Sequence, residues 1–270
     1  MVKQITAFFL VAALIVSCST NPVTGRRQLK LVPESQLQGM ADQEYRKFLS
    51  SNRVVNPSSD RDAEMVRRVG KRLAASITQF YKSQKGASVL EGYDWEFNLV
   101  NDKAANAWAM PGGKIVVYSG LLSITQNEAA LANVLGHEIS HALFQHGNER
   151  MSQGLAAQGF GTALNLAVAN KPAATQNLFM QAFGIGTQVG VLLPFSRRQE
   201  LESDRYGMRW AAMAGYNPRE AISLWQRMEK MSNGQKPPEF ISTHPSEGKR
   251  IEELKRFLPE ALKYYRPVNK

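Results

Sequence analysis

The spacing of hydrophobic and polar positions changes along the chain, and each change marks an element. A helix is expected from about Glu34 to Ser50. After the polar linker Asn52 to Asp60, the apolar residues Met65, Val66, Val69, Leu73, Ile77 and Phe80 recur at helical spacing. That recurrence predicts a long amphipathic helix that needs a core to lie on. The period then falls to two, because Trp95, Phe97 and Leu99 alternate with Glu96 and Asn98. Alternation of this kind predicts a strand with one buried face. The turn formers Pro111-Gly112-Gly113, followed by Ile115-Val116-Val117-Tyr118, suggest a second extended pair and hence a small sheet. From Thr125 the helical period returns through Leu131, Val134, Leu135, Ala142 and Leu143, with Thr125 and Glu128 spaced as a capping box. No internal repeat is evident, and the pattern predicts a mostly helical α+β fold.

Ahead of these elements the chain has a different character. Lys3 precedes an apolar run from Ile5 to Val16, too short to cross a bilayer as a helix but of the length of a signal-peptide core. Ile15-Val16-Ser17-Cys18 then resembles a bacterial lipobox, which implies removal of residues 1–17 and lipidation of Cys18. Residues 19–33 are rich in turn formers and are expected to tether the lipid to the body. The expected organisation is a signal peptide (1–17), a lipidated tether with an N-terminal helix (18–59), and a single folded domain (60–270). The expected location is the bacterial cell envelope, facing the periplasm. Ser19 after the cysteine, in place of Asp, resembles outer-membrane sorting in preference to inner.

Composition narrows the chemistry. With 270 residues, 43% hydrophobic and 21% charged, the chain is long enough for one sizeable core, and disorder is excluded. A single cysteine leaves no intramolecular disulfide and no cysteine-rich metal site, so histidine or carboxylate must supply any ligands. The net charge of +10 is spread over scattered pairs such as Arg26-Arg27, Arg67-Arg68 and Arg197-Arg198. Scattered pairs do not form the basic stripe with interleaved aromatics that nucleic acid requires, so no nucleic-acid partner is expected. Anionic headgroups would still be attracted. Leu178 to Leu193 is short and broken by Gln181, Thr187 and Gln188, which argues against a transmembrane span.

The chemical signal lies within the helix that follows Thr125. His137-Glu138-Ile139-Ser140-His141 is an H-E-x-x-H pattern, and histidines four apart on a helix project from one face, so two imidazoles can converge on one zinc ion. A catalytic zinc with two histidines wants one carboxylate as its third protein ligand, and each imidazole needs an outer partner. The run Ser196 to Asp204 offers Glu200 and Asp204 on one helical face, Glu200 to ligate and Asp204 to orient a histidine. Glu202 is the rival ligand on another side of that helix. His244, with Arg250 nearby, is the candidate second donor to a transition-state oxyanion. His146 is expected to be structural, one residue before a helix-ending Gly147.

Together with the lipobox, Asn106-Ala107-Trp108-Ala109-Met110-Pro111-Gly112-Gly113, the His137 to His141 motif and the Glu200/Asp204 helix resemble the HtpX and CAAX-prenyl-endopeptidase family of zinc metallopeptidases. Within it the chain is similar to the LoiP- and BepA-like bacterial lipoproteins, over about Asp60 to Pro259. The resemblance implies a zincin-like fold, one zinc ion held by His137, His141 and Glu200, and Glu138 as general base. It also implies that His244 is a candidate latency switch as well as a candidate donor. Asn106, Ala107, Trp108 and Ala109 would form a sheet edge that holds an extended peptide, unless Trp108 simply plugs the core. The segments Gly154 to Ala169 and Leu178 to Leu193 are a candidate lid or plain core helices. The implied activity is endoproteolysis of misfolded or unassembled envelope proteins. The competing expectation is a lipid-tethered periplasmic chaperone or assembly factor with a latent zinc site.

Overall fold

Asn21 begins the fold by turning the chain: its Oδ1 accepts from the amides of Val23 and Thr24, and Gly25 follows at φ +68°. The turn closes an antiparallel ribbon of β1 (Cys18–Thr20) and β2 (Arg27–Leu29). A computed structural model describes residues 18–84, 86–157, 173–183, 196–232, 239–244 and 249–267. The expected signal peptide therefore lies outside the described residues. The segment read as a loose tether is instead packed down, since Gln28 donates to Phe144 O at 2.7 Å, Leu31 N donates to Ser152 Oγ at 2.8 Å, and Tyr206 OH donates to Val23 O. Turn formers here close a ribbon and do not make a linker, because the polar residues between them find buried partners.

Helix α1 (Glu34–Ser51) and helix α2 (Arg61–Ser83) follow, the second capped by the Asp60 carboxylate on the Ala63 amide. The sheet comprises β3 (Glu96–Val100), β4 (Ala107–Met110) and β5 (Lys114–Tyr118) in the order β3-β5-β4. β3 runs parallel to β5, and β4 pairs with β5 antiparallel through a turn in which Gly112 and Gly113 take φ of +80° and +83°. The two-residue period sorts the side chains. Phe97, Leu99, Ala107, Ala109, Ile115 and Val117 enter one core, while Trp108, Met110, Val116 and Tyr118 enter another beneath α1. Central β5 is consequently buried along its whole length.

Helix α3 (Ser119–Thr125) ends at Gln126, whose φ of +63° breaks the helix. The next helix, α4 (Glu128–Leu143), is capped by Asn127, whose Oδ1 accepts from Ala130 N at 2.8 Å. The expected Thr125/Glu128 capping box does not form. Thr125 closes the preceding helix, and Glu128 pairs with both Nη atoms of Arg68. Helix α4 is buried all round from Ala130 to Leu143, so it is the central helix of the domain. Around it stand α5 (His146–Ala157), α6 (Ala173–Ala182), α7 (Arg197–Met213), α8 (Glu220–Ser232), α9 (Glu239–Thr243) and α10 (Arg250–Leu262). The architecture is mostly helical with small sheets, as the spacing predicts.

Helices α4 and α7 touch backbone to backbone. A methyl group added at Gly136 would lie 2.6 Å from Gly207 O, and one at Gly207 would lie 2.7 Å from His137 N. Only glycine permits that approach. Of the candidate lid segments, Leu155, Leu178, Phe179, Ala182 and Phe183 are buried in the second core, and residues 158–172 and 184–195 lie outside the described residues. Among the described residues no helix is long and apolar enough to cross a membrane.

Candidate metal centre

The glycine contact decides the geometry of the site, because it sets the motif face of α4 against the first turns of α7. His137 and His141, one turn apart on α4, bring their Nε2 atoms within 3.0 Å of each other. Glu200 on α7 places Oε2 3.5 Å from His137 Nε2 and Oε1 3.4 Å from His141 Nε2. His244, just beyond α9, sets Nδ1 3.3 Å from His137 Nε2 and 3.0 Å from Glu200 Oε1. One ligand atom from each of these four buried residues lies within 4.8 Å of all the others. Donors held about 2.0–2.1 Å from a tetrahedral zinc stand roughly 3.3–3.4 Å apart, so these separations suit one zinc ion. The donor set, two to three imidazoles and a carboxylate, is also zinc's own preference.

Around the ligand atoms lies a second layer of contacts. His137 Nδ1 is 3.0 Å from Asp204 Oδ1, the outer partner expected for a histidine ligand. Arg250 from α10 donates to Asp204 Oδ1 at 2.7 Å and to His244 O at 3.2 Å, and lies 3.0 Å from Glu200 Oε2, with its guanidinium 3.5 Å from the centre of the Trp225 ring. Arg250 thus backs the carboxylates. Glu138 is buried, with Oε1 3.4 Å from His244 Nε2 and free of hydrogen bonds. His244 stacks on Phe240 at 4.5 Å, which fixes the plane of its ring.

Electrostatics follow from burial and charge together. Burial pulls His137 down, but its hydrogen bonds to Asp204 and Glu200 outweigh this and lift it to about 9. Burial raises Glu200, yet the charges of His244 and Arg250 and hydrogen bonds from His137 and His141 hold it well below the usual carboxylate range. Burial pushes Glu138 up against the pull of His244 and His137, and drives His141 well below an ordinary histidine.

Three other readings from sequence are resolved by the packing. Glu202 points away from the cluster to His146 Nε2 at 3.1 Å and Arg26 Nε at 2.7 Å. Gly147 does not end a helix: Gln145, at φ +54°, makes the break, and His146 and Gly147 begin α5. Trp108 is buried edge-on against Tyr45 and Phe48, donating to Tyr118 OH at 3.3 Å, so it fills the core. Ala107 and Ala109 face the core that contains α4, and Asn106 folds its Oδ1 back onto the Ala107 amide. Strand β4 is nevertheless at the edge of its sheet, without an outer strand partner among the described residues. Cys18 begins β1. Sequence reasoning missed the glycine pair, Arg26 and Glu149. None of these carries a short-range signal, since each acts across more than sixty residues of chain.

A buried histidine pair, a carboxylate from a neighbouring helix and a second glutamate beside them form a zincin-like metal centre, and comparison with known proteins agrees. Residues 60–258 match the profile of peptidase family M48, and the chain belongs to that family. M48 metallopeptidases use zinc, in accord with the donor set. The chain is 33% identical over 244 residues to the mitochondrial metalloendopeptidase OMA1 of Schizosaccharomyces pombe, covering 89% of this chain and 66% of that protein. It is 30% identical to the mitochondrial metalloendopeptidase OMA1 of Homo sapiens, covering 90% and 46%. It is 32% identical over 167 residues to the beta-barrel assembly-enhancing protease of Yersinia pestis, covering 60% and 34%. The chain therefore spans from about a third to two thirds of the length of these relatives. They correct the expected location: these OMA1 relatives are mitochondrial proteins, which overturns the bacterial outer-membrane, periplasm-facing placement read from the N-terminus. They also place the resemblance at the level of family M48: the expected BepA-like relatives are present, while OMA1 proteins stand where HtpX-type and lipoprotein members were expected.

Proposed function

We propose that this chain is a zinc endopeptidase that cuts misfolded or unassembled protein chains and is held latent by His244. The observation that carries the reading is the convergence of His137, His141, Glu200 and His244 on one point, with the Glu138 carboxylate beside it. Zinc, when bound there, polarises the scissile carbonyl and acidifies a water to a pKa near 7. Glu138 removes the proton from the attacking water and delivers it to the leaving amine. Burial, which raises Glu138, suits a group that must hold a proton between these two acts. Asp204, braced by Arg250, fixes the ring of His137, and Glu200 keeps its charge through the same arginine. A structural zinc site has no need of a further buried glutamate beside its ligands, which favours catalysis over a purely structural role.

His244 supports latency because its Nδ1 would be a fourth protein ligand, at the position that a catalytic site keeps open. Its withdrawal would free that corner and the Glu138 carboxylate together. The β4 edge at Asn106 to Ala109 is buried, and once uncovered it would offer main-chain groups to an extended substrate strand, a mode that reads backbone and suits chains already unfolded. Involvement of the beta-barrel assembly-enhancing relative in barrel assembly, as its name states, is in keeping with such substrates.

The test is cleavage of a denatured protein by the zinc-loaded full chain, by Glu138→Gln at matched zinc content, and by His244→Ala. Cleavage that rises in His244→Ala and is lost in Glu138→Gln is the expected result. Absence of cleavage in every form, with zinc bound, would overturn the endopeptidase reading in favour of a chaperone or assembly factor with a latent site.

A further inference from the structure

All four histidines of the chain fall in one buried cluster, and His146 is the one without a role so far. Its Nδ1 lies 3.0 Å from Nδ1 of His141, and its Nε2 lies 3.1 Å from Glu202 Oε2. A His141 that offers Nε2 to a metal carries its proton on Nδ1. His146 Nδ1 must then accept the hydrogen bond from His141 Nδ1–H, which leaves the His146 proton on Nε2, pointed at the Glu202 carboxylate. Glu202 in turn accepts from Arg26 Nε at 2.7 Å. The two Nη atoms of Arg26 grip both oxygens of Glu149 at 2.7 Å, and Gln199 Nε2 donates to Glu149 at 2.8 Å. Donors and acceptors alternate from His141 to the ribbon, with the Ser203 hydroxyl 3.5 Å from His146 Nδ1 as a longer contact on the same nitrogen. The arrangement parallels the other ligand, where His137 leans on Asp204 and Asp204 on Arg250.

We propose that His146, held by Glu202 and by Arg26 of the N-terminal ribbon, is the positioning residue for His141, so that the ribbon outside the family match is part of the metal centre's support. The proposal rests on His141 being a zinc ligand. Outer partners of this kind fix the tautomer and orientation of the ring, and their loss typically costs about 10- to 100-fold in metal affinity. Arg26 is suited to the task because its rigid fork binds Glu149 through two nitrogens while its Nε holds Glu202.

The test measures zinc affinity of the full chain by competition with a chromophoric chelator, and the visible absorption of the cobalt-substituted protein. His146→Leu, which has no acceptor, is expected to lose about 10- to 100-fold in zinc affinity and to alter the cobalt bands. His146→Asn, whose Oδ1 can take the place of Nδ1, is expected to recover most of that loss. Arg26→Ala and Glu202→Gln are expected to lose several-fold. Retention of zinc affinity by His146→Leu to within about twofold, or an equal loss in the Leu and Asn variants, would overturn the proposal and leave His146 a packing residue. Should His146→Leu fail to fold, Glu202→Gln decides on the same criterion, since its side chain is at the margin of the cluster. Failure of the unaltered chain to take up one zinc would instead overturn the metal reading beneath it, a separately visible result.

Discussion

Substituting alanine at two helical glycines should have opposite effects, and the contrast tests how the metal centre is built. At Gly207 on α7, an added methyl group would lie 2.7 Å from His137 N and 3.0 Å from His137 Cα. That is about 1 Å short of the ~3.5–4.0 Å at which carbon atoms rest. Both obstacles are backbone, so no rotamer change relieves them, and the helices must separate. Overpacking of this kind costs about 1–3 kcal/mol, against which alanine returns about 1 kcal/mol of helix propensity. Gly207→Ala is therefore expected to destabilise by up to about 2 kcal/mol, a fall in Tm of up to roughly 8 °C for a domain of this size. Zinc affinity should fall at least tenfold, because ligand distances tolerate only about ±0.2 Å and the separation moves Glu200 away from His137 and His141. Gly39 on α1 is the control: nothing lies within 4 Å of its missing methyl group. Gly39→Ala is expected to stabilise by up to about 1 kcal/mol with no change in zinc affinity. Thermal melts in chelator, paired with zinc competition, read both quantities. A Gly207→Ala protein that melts at or above the parent and binds zinc equally would refute the close-contact argument.

Three further outcomes follow from the same structure. Arg250→Met leaves the buried Glu200 and Asp204 carboxylates without their cation, and should cost about 3–5 kcal/mol in urea unfolding of metal-free protein; part of this should return with zinc, which neutralises the same carboxylates, and an equal loss with and without zinc would contradict it. Burial pushes the Glu34 carboxyl up to about 7 against the pull of Lys30, so the folded state holds a proton that the unfolded chain releases near 4.5. Its contribution is full below pH 4.5 and declines as pH rises toward about 7, and Glu34→Gln should flatten that slope and be more stable by about 1–3 kcal/mol above it, as unfolding against pH would reveal. Removal of zinc by a chelator should lower the melting point, since free zinc at about 1,000 times its Kd contributes about 4 kcal/mol to the folded state, and unchanged calorimetric scans would argue against the site.

The sequence alone determined those features that depend on short-range geometry. The period of Met65 to Phe80 and of Leu131 to Leu143 requires helices, the alternation from Trp95 to Leu99 requires a strand, and Gly112-Gly113 requires a turn, because each is dictated by neighbours within a few residues. His137 and His141 share a face for the same reason, as do Glu200 and Asp204. The N-terminal segment shows where this reasoning stops: turn formers from Asn21 to Gly25 are compatible with a loose tether and with a closed ribbon, and only partners more than a hundred residues away select the ribbon. A lipobox-like string likewise carried no information about relatives, which proved to include mitochondrial proteins. Tertiary structure alone decided that Glu202 turns to His146 and Arg26, that Arg250 backs the carboxylates and that His244 joins the ligand cluster. Each depends on the angle and distance between elements far apart in the chain. The decisive distance is set where Gly136 meets Gly207, and there the information lies in an absent side chain that no local pattern marks.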